Sequence, residues 1–306
     1  MDNLTHSLVG ALIGQTGLKR RTGLAMPALI IGANLPDVDA TCFFWLEGVE
    51  HLAFRRGITH GPPALVLLPL VLAGLLWGFD RWQTKRGKRP EGRLPVHFGW
   101  LYGLSLLGCL THPALDWLNV YGIRLLEPFS SRWFYGDTLF IIDVWLWAGM
   151  GLALWWSLRQ EKRGGDWRSV GRIGATGAAL YIAAQGVLTG VTERNATGEN
   201  PIASPPPGLS WQRETITGAN GLYQIDTRPV GDVPLDRCDF AALRATDPDV
   251  RAFLFWSRTP FVEAGSEGVM LRDARFYDPL AADRFAVRLP DQFCWVERNR
   301  FTEKRS

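Results

Sequence analysis

Long apolar segments dominate the first two thirds of the chain and constrain its fold more than any other feature. A helix needs about 20 residues to cross the hydrocarbon core of a bilayer. The segments that approach this length are Pro62–Phe79, Val96–Leu118, Leu139–Leu158 and Val170–Thr189. Two shorter segments, Leu4–Thr16 and Leu24–Leu35, predict a helical hairpin packed beside them. The sequence therefore predicts a mainly α protein built on a polytopic transmembrane helical bundle.

Basic loops between these segments predict their orientation. Asp80–Arg93 contains six Lys or Arg residues, Arg159–Arg172 contains five, and Lys19-Arg20-Arg21 is basic throughout. Basic loops stay on the cytoplasmic side of a membrane. The segments predicted on the outer side are then 37–61, 119–138 and everything after Thr192. We expect a multi-pass protein of a bacterial-type inner membrane.

The composition changes near Thr192, where Leu, Gly, Ala and Trp give way to Pro, Arg and Asp. We predict a membrane-embedded domain over residues 1–192, a Pro-rich linker over 193–208 and a small β-rich extramembrane domain over 209–306. Its predicted strands are Ala252–Trp256, Val269–Phe276 and Phe285–Leu289. Cys238 and Cys294 are able to form a disulfide if this tail is exported. The net charge of only +3 does not indicate a nucleic-acid partner.

Ionisable residues gather at the ends of the apolar segments. The predicted topology brings them all to the outer membrane face: His6, Asp37, Asp39, His60, His112, Asp116, Asp137 and Asp143. A charged residue deep in a membrane helix costs about 2.5–3.5 kcal/mol on insertion scales. A bound divalent metal ion would offset this cost, because structural zinc sites contribute on the order of 10–16 kcal/mol.

Two short motifs carry most of this signal. His112 and Asp116 are four residues apart, so both side chains lie on one face of a helix and can bind one ion or two adjacent ions. Asp37 and Asp39 flank a single valine, which suits two ligands, or one ligand and one general base. Each motif alone also has a structural explanation, as a helix-end histidine with a capping aspartate or as an Asx turn. The single histidines at 6 and 60 are weaker signals, and their value comes from co-location.

Arginines on the same predicted face suggest an anionic substrate. Arg55, Arg56 and Arg132 have the chemistry to hold a phosphate, and contact with lipid headgroups explains them equally well.

Five motifs in this order resemble the YdjM-like family of inner-membrane, predicted metal-dependent hydrolases. They are Asp2–Ser7, Leu35–Asp39, Arg56–His60, Thr111–Asp116 and Asp137–Asp143, and the resemblance covers about residues 1–190. The family is distantly similar to zinc-dependent phospholipase C and the P1-type nucleases. This chain departs from its relatives at Arg55, where many carry His, and at Gly61, where Ser is usual.

The resemblance implies metal ligands and one further role. It makes His6, Asp37 or Asp39, His60, His112 and Asp116 ligands, and one loop aspartate would orient a metal-bound water. The later HxxxE pair of the soluble phospholipases is absent. Asp137 and Asp143 are the candidates to replace it, so one or two ions, with zinc favoured, are expected rather than three.

These observations predict a membrane-bound, metal-dependent hydrolase that acts on a phosphoester, with Asp37, Asp39 and Arg56 in catalysis. A lipid-linked phosphoester is one candidate substrate. The predicted partner is a membrane lipid or lipid-linked substrate, and the sequence identifies no protein partner. A cation- or proton-coupled transporter is one alternative, although Leu65–Phe79 and Trp145–Leu158 carry no charge that would continue a path. A non-catalytic membrane scaffold with a binding tail is another.

Overall fold

The computed structural model describes residues 1–265, 268–277 and 282–294. It divides into two compact units that interleave along the chain. The helical unit contains Met1–Thr41, Arg56–Gly190 and Pro205–Arg213. The second unit contains Cys42–Arg55, Val191–Ser204 and the described residues from Glu214 onward. The end of the predicted tail domain, beyond Cys294, lies outside the described residues.

The apolar segments form helices, as predicted. The helices of the first two thirds are α1 (Asn3–Gln15), α2 (Ala25–Asn34), the short α3 (His51–Phe54) of the second unit, α4 (Pro62–Lys85), α5 (Phe98–Trp117), α6 (Val144–Lys162) and α7 (Trp167–Asn195). The prediction placed the start of α6 too early, at Leu139. The helix begins after Asp143, whose side chain accepts hydrogen bonds from the Trp145 and Leu146 amides as an N-cap.

Two helices in the described part of the chain are long and apolar enough to cross a membrane. They are α4, with 24 residues and a mean hydropathy of 1.9, and α7, with 29 residues and a mean hydropathy of 1.2. Many of their apolar side chains point outward, such as Leu75 on α4 and Leu180 on α7, which are 67% and 66% exposed. Outward apolar surface of this kind suits contact with lipid.

Small residues let α2 pack closely against α5. The α-carbon of Gly108 on α5 faces the backbone of α2, and a Cβ added there would lie 2.5 Å from the Leu29 carbonyl oxygen and 3.0 Å from the Ala33 amide nitrogen. The buried side chains Leu29, Leu101 and Leu104 pack in the same cluster. This close approach sets the position of the last two turns of α5, which carry His112 and Asp116.

The second unit contains two antiparallel sheets and two helices. The first sheet has the order β1–β2–β3–β4 (Ile202–Ser204, Glu214–Ala219, Leu222–Ile225, Arg228–Val230), and the second has the order β5–β6–β7 (Pro260–Gly265, Gly268–Asp273, Ala286–Leu289). Between them lie α8 (Phe240–Thr246) and α9 (Pro248–Trp256). Cys238 and Cys294 form a disulfide.

The predicted strand Ala252–Trp256 is wrong, because this segment is the end of α9. The helix has a standard start: Asp247 caps it by accepting hydrogen bonds from the Asp249 and Val250 amides, and Pro248 occupies the first turn. The other two predictions are close to the observed strands, although Ala274–Phe276 forms a 3₁₀ turn. Strands β1–β4 were not predicted.

A buried ion pair stabilises the end of β6. The Asp273 carboxylate accepts hydrogen bonds from Arg275 Nε and Nη2 at 2.9 and 2.7 Å and from the Thr259 hydroxyl at 3.0 Å, and it also contacts the Ser257 hydroxyl. Burial alone would raise the pKa of Asp273, but the positive charge of Arg275 and these hydrogen bonds outweigh it and lower the pKa below its ordinary value of 3.8.

We expect this ion pair to make the second unit sensitive to acid. A lowered pKa in the folded state adds stability above about pH 4, and that stability is lost as the pH falls through the folded-state pKa. Asp273→Asn should remove this dependence and cost about 3 kcal/mol at neutral pH, because it leaves Arg275 buried without its charge partner. Limited proteolysis of the full chain across pH 3–7, with exposed Asp236→Asn as the control, measures both effects. Identical profiles for the two variants would contradict the prediction.

Candidate metal centre

Four side chains from three segments of the helical unit converge on one point. Asp37, His60, His112 and Asp116 each offer a ligand atom, and these atoms all lie within 4.8 Å of one another. His60, His112 and Asp116 are buried, whereas Asp37 is half-buried. This group could hold a metal ion.

Local sequence explains why each segment ends at this point. Pro36 lacks the amide hydrogen that would continue α2, so the helix gives way to a 3₁₀ segment, Leu35–Phe44, that carries both loop aspartates. His60 ends a 3₁₀ turn just before Pro62 starts α4. His112 and Asp116 stay one turn apart because α5 continues through Pro113, with Nε2 and Oδ2 3.5 Å apart.

Hydrogen bonds fix which nitrogen of each histidine points inward. His112 Nδ1 lies 2.7 Å from the Ala33 carbonyl oxygen, an acceptor, so this nitrogen must donate. The Thr59 hydroxyl donates to Asp39 Oδ2 at 3.2 Å, so it accepts from His60 Nδ1 at 2.9 Å. In their neutral forms both rings therefore present the lone pair of Nε2, the form that binds metals.

The two inward lone pairs face each other. His60 Nε2 and His112 Nε2 are 3.1 Å apart, and Asp116 Oδ2 lies 3.6 and 3.5 Å from them. Asp37 Oδ1 lies 3.7 Å from His112 Nε2. Ligands about 2.0–2.1 Å from a tetrahedral zinc ion are about 3.3 Å from one another, so the observed spacing fits. Two facing acceptors repel each other unless a cation lies between them, and the residues present therefore fit a metal ion.

Charged groups surround the four residues. The Arg56 guanidinium lies 3.1 Å from Asp116 Oδ2, and the Met1 amino group contacts Asp116 Oδ1. Arg124 interacts electrostatically with Asp39. Three carboxylates, those of Asp37, Asp39 and Asp116, therefore lie in a mostly buried region together with both histidines.

His6 lies beside the four residues rather than among them. Asp2 caps α1 by accepting hydrogen bonds from the Leu4 and Thr5 amides, and this places His6 in the first turn of the helix. Its ring stacks on His112 with the centroids 3.8 Å apart, and its Nε2 lies 3.5 Å from Asp116 Oδ1. Both ring nitrogens are buried and make no hydrogen bond within the described residues. Its role as a ligand stays a prediction.

Asp39 and Arg56 lie next to the four residues, and each contacts one of them. Asp39 Oδ2 accepts a hydrogen bond from the Arg56 amide at 2.7 Å and lies 3.6 Å from His60 Nδ1. Arg56 as a whole residue is 5% exposed, and its guanidinium donates to Asn119 Oδ1 and the Gly122 carbonyl and packs over the Tyr121 ring. The catalytic roles predicted for Asp39 and Arg56 stay predictions.

Asp137 and Asp143 are not among the four converging residues. Beyond capping α6, the Asp143 carboxylate accepts hydrogen bonds from the Tyr181 and Ser210 hydroxyls, both at 2.9 Å. Asp137 has a left-handed backbone with φ of 49°, and its carbonyl accepts from the Thr189 hydroxyl. The predicted replacement of an HxxxE pair by these two residues stays a prediction.

The other predicted arginines differ from Arg56 in their surroundings. Arg132 is exposed and lies over the Phe134 ring. Arg55 belongs to the second unit, where its guanidinium lies over Phe43.

The residues that orient the candidate ligands were not predicted from the sequence. Thr59, Asn119 and the Ala33 carbonyl each fix the position of a ligand or of Arg56. Thr59 was visible in the Thr-His motif, but no sequence pattern marks a backbone carbonyl. The departure at Gly61 also has a structural reason, because a Cβ there would overlap the Glu127 carbonyl oxygen.

Comparison with known proteins identifies the family. Residues 1–191 match the family described as YdjM inner membrane protein. This match covers more than half of the chain, which therefore belongs to that family. No curated protein and no solved structure matches the chain. The similarity to phospholipase C and P1-type nucleases stays a prediction.

Proposed function

We propose that this member of the YdjM inner membrane protein family is a metal-dependent hydrolase. Asp37, His60, His112 and Asp116 would hold a divalent ion, and zinc suits their nitrogen and oxygen donors. The observation that carries the proposal is the pair of Nε2 atoms, 3.1 Å apart, whose lone pairs point at each other beside two carboxylates.

The two loop aspartates have different parts in this proposal. A bound divalent ion supplies Lewis acidity and makes water a nucleophile near neutral pH. Asp39 is buried and engaged by the Arg56 amide and Thr59. Asp37 is half-buried at the edge of the cluster. We therefore assign to Asp37 the task of orienting the attacking water and accepting its proton.

A phosphoester of a membrane lipid or lipid-linked compound is the proposed substrate class. An open depression beside Asp37 is lined by Asn3, Ile30, Ile31, Asn34, Leu35 and Val38, and so is mostly apolar. Ile31 and Val38 are 43% and 46% exposed. Apolar surface next to a polar catalytic group suits a substrate with a hydrocarbon tail.

A multi-pass bundle with the site on the extracytoplasmic side is part of the same proposal. The basic loops of the sequence support this orientation. The Cys238–Cys294 disulfide supports export of the tail, because disulfides persist in oxidising compartments.

Chelation tests the proposal directly. The purified full chain in detergent should contain about one zinc per chain and hydrolyse bis(p-nitrophenyl) phosphate. EDTA should reduce the rate at least about 100-fold and added zinc should restore it, because the activated water depends on the ion. Asp37→Asn should lose most of the rate, whereas Asp236→Asn, at an exposed position of the second unit, should retain it. Bound metal without hydrolysis of any phosphoester would contradict the proposal and favour the transporter. Absence of metal would favour the scaffold.

A further inference from the structure

A cavity of about 330 Å³ lies within the helical unit, on the side of α5 away from the metal ligands. Four helices contribute to its wall. Its lining residues are Val9, Leu12 and Ile13 of α1, Thr111, Ala114, Leu115 and Leu118 at the end of α5, Met150 of α6, and Ala175, Ala178, Ala179 and Ile182 of α7. Neither the sequence motifs nor the proposed reaction accounts for it.

The cavity offers water at most one partner. Among the described residues that line it, Thr111 has the only polar side chain, and its hydroxyl donates to the Gly108 carbonyl at 2.6 Å, which leaves the oxygen free only to accept. A buried water needs two to four polar partners, and cavities lined by apolar side chains stay dry and bind apolar molecules. The occupant must therefore be apolar.

Small side chains leave this space unfilled, and exposed residues lie where it opens. Leu12 and Met150 at its base are 2% and 1% exposed. Three alanines of α7 line the wall where longer side chains would fill it. Ala114 and Ala179 are exposed and form an opening toward the surroundings of the helices. In an inner membrane protein, the apolar material outside such an opening is lipid.

We infer that this cavity binds one acyl chain of a bilayer phospholipid. Its volume is near the lower end of the range for ligand sites, about 300–1,000 Å³, and is too small for two acyl chains. The bilayer removes the driving force that water exclusion gives to apolar binding elsewhere, so complementary packing must select the chain. Thr111 and Leu115 adjoin His112 and Asp116 in sequence, so the bound chain packs against the turn that carries these two ligands. The site goes beyond the proposed hydrolysis and does not depend on it.

Photo-crosslinking tests the site. The full chain is reconstituted in phosphatidylcholine vesicles containing a phospholipid with a diazirine at the end of one acyl chain. Labelling should concentrate in the peptides that contain residues 111–118 and 175–182. Ala178→Trp, which fills the cavity, should reduce this labelling at least five-fold. Leu180→Trp adds the same ring at an exposed position of the same helix and should leave labelling unchanged.

Three results would overturn the inference. The first is equal labelling of Ala178→Trp and the native chain. The second is equal loss from Ala178→Trp and Leu180→Trp. The third is displacement of the label by a polyprenyl phosphate but not by unlabelled phospholipid, which would identify a different occupant. Circular dichroism and thermal unfolding in detergent verify that Ala178→Trp is folded, and the smaller change Ala175→Leu replaces it if it is not. Loss of labelling in a folded variant therefore reports on this site whether or not the metal centre holds an ion.

Discussion

Replacing His112 with alanine is expected to remove the bound metal. His112 contributes the Nε2 that faces His60 and lies 3.5 Å from Asp116 and 3.7 Å from Asp37, so its loss breaks contacts with every other member of the group. We expect the affinity for zinc to fall at least about 100-fold, since even groups that only orient a ligand affect affinity 10- to 100-fold. Metal analysis after purification and zinc titration of the apoprotein measure the change.

His97→Ala is the matched control for this prediction. His97 precedes the first turn of the same helix, is exposed, and caps nothing with its side chain. His112→Asn adds a second test, because an asparagine amide can still donate to the Ala33 carbonyl and so preserves packing better than alanine. Zinc at 100 times the native dissociation constant should stabilise the native chain and His97→Ala by about 2.7 kcal/mol and both His112 variants by about 0.4 kcal/mol or less. Full zinc occupancy in a folded His112 variant would contradict the assignment.

The helices of the first two thirds were predictable because apolar length is a local property of the sequence. The ends that were misplaced depend on single capping side chains, as at Asp143 before α6 and Asp247 before α9. A run such as Ala252–Trp256 is apolar enough for either a strand or a helix, and only the cap and Pro248 before it distinguish them. Strands β1–β4 are short and lack a strong alternation of apolar and polar residues.

From the sequence, the candidate site was predictable only as a group of His and Asp residues at one depth in the membrane. The sequence could not separate Asp37 from Asp39, because both follow the end of α2 at Asn34 within five residues. The two aspartates differ in their contacts with a later segment of the chain. The Arg56 amide and the Thr59 hydroxyl donate hydrogen bonds to Asp39, whereas Asp37 lies 3.7 Å from His112 Nε2. The sequence also did not indicate that the Arg56 guanidinium lies 3.1 Å from Asp116 Oδ2, and the predicted role of Arg56 in catalysis stays a prediction.

Adding one methyl group at Gly108 is expected to disrupt the metal centre from a distance. In Gly108→Ala the new Cβ would lie 2.5 Å from the Leu29 carbonyl oxygen, and backbone cannot move aside as a flexible side chain can. Separating α5 from α2 should cost about 1–3 kcal/mol as overpacking. It should also lengthen the hydrogen bond from His112 Nδ1 to the Ala33 carbonyl, because His112 follows Gly108 by one turn on the same side of α5. We expect lower stability together with at least ten-fold weaker zinc binding.

Gly103→Ala provides a control on the same helix. A Cβ at Gly103 meets no atom within 4 Å, so only the helix propensity changes, and alanine favours a helix by up to about 1 kcal/mol over glycine. Gly103→Ala should therefore be neutral or stabilising with native zinc affinity, while Gly108→Ala moves both quantities the other way. Thermal unfolding in detergent and zinc titration distinguish the two. If Gly108→Ala had the stability and zinc affinity of Gly103→Ala, the added methyl group would have been accommodated without moving His112. The close contact between α2 and α5 would then not set the position of His112.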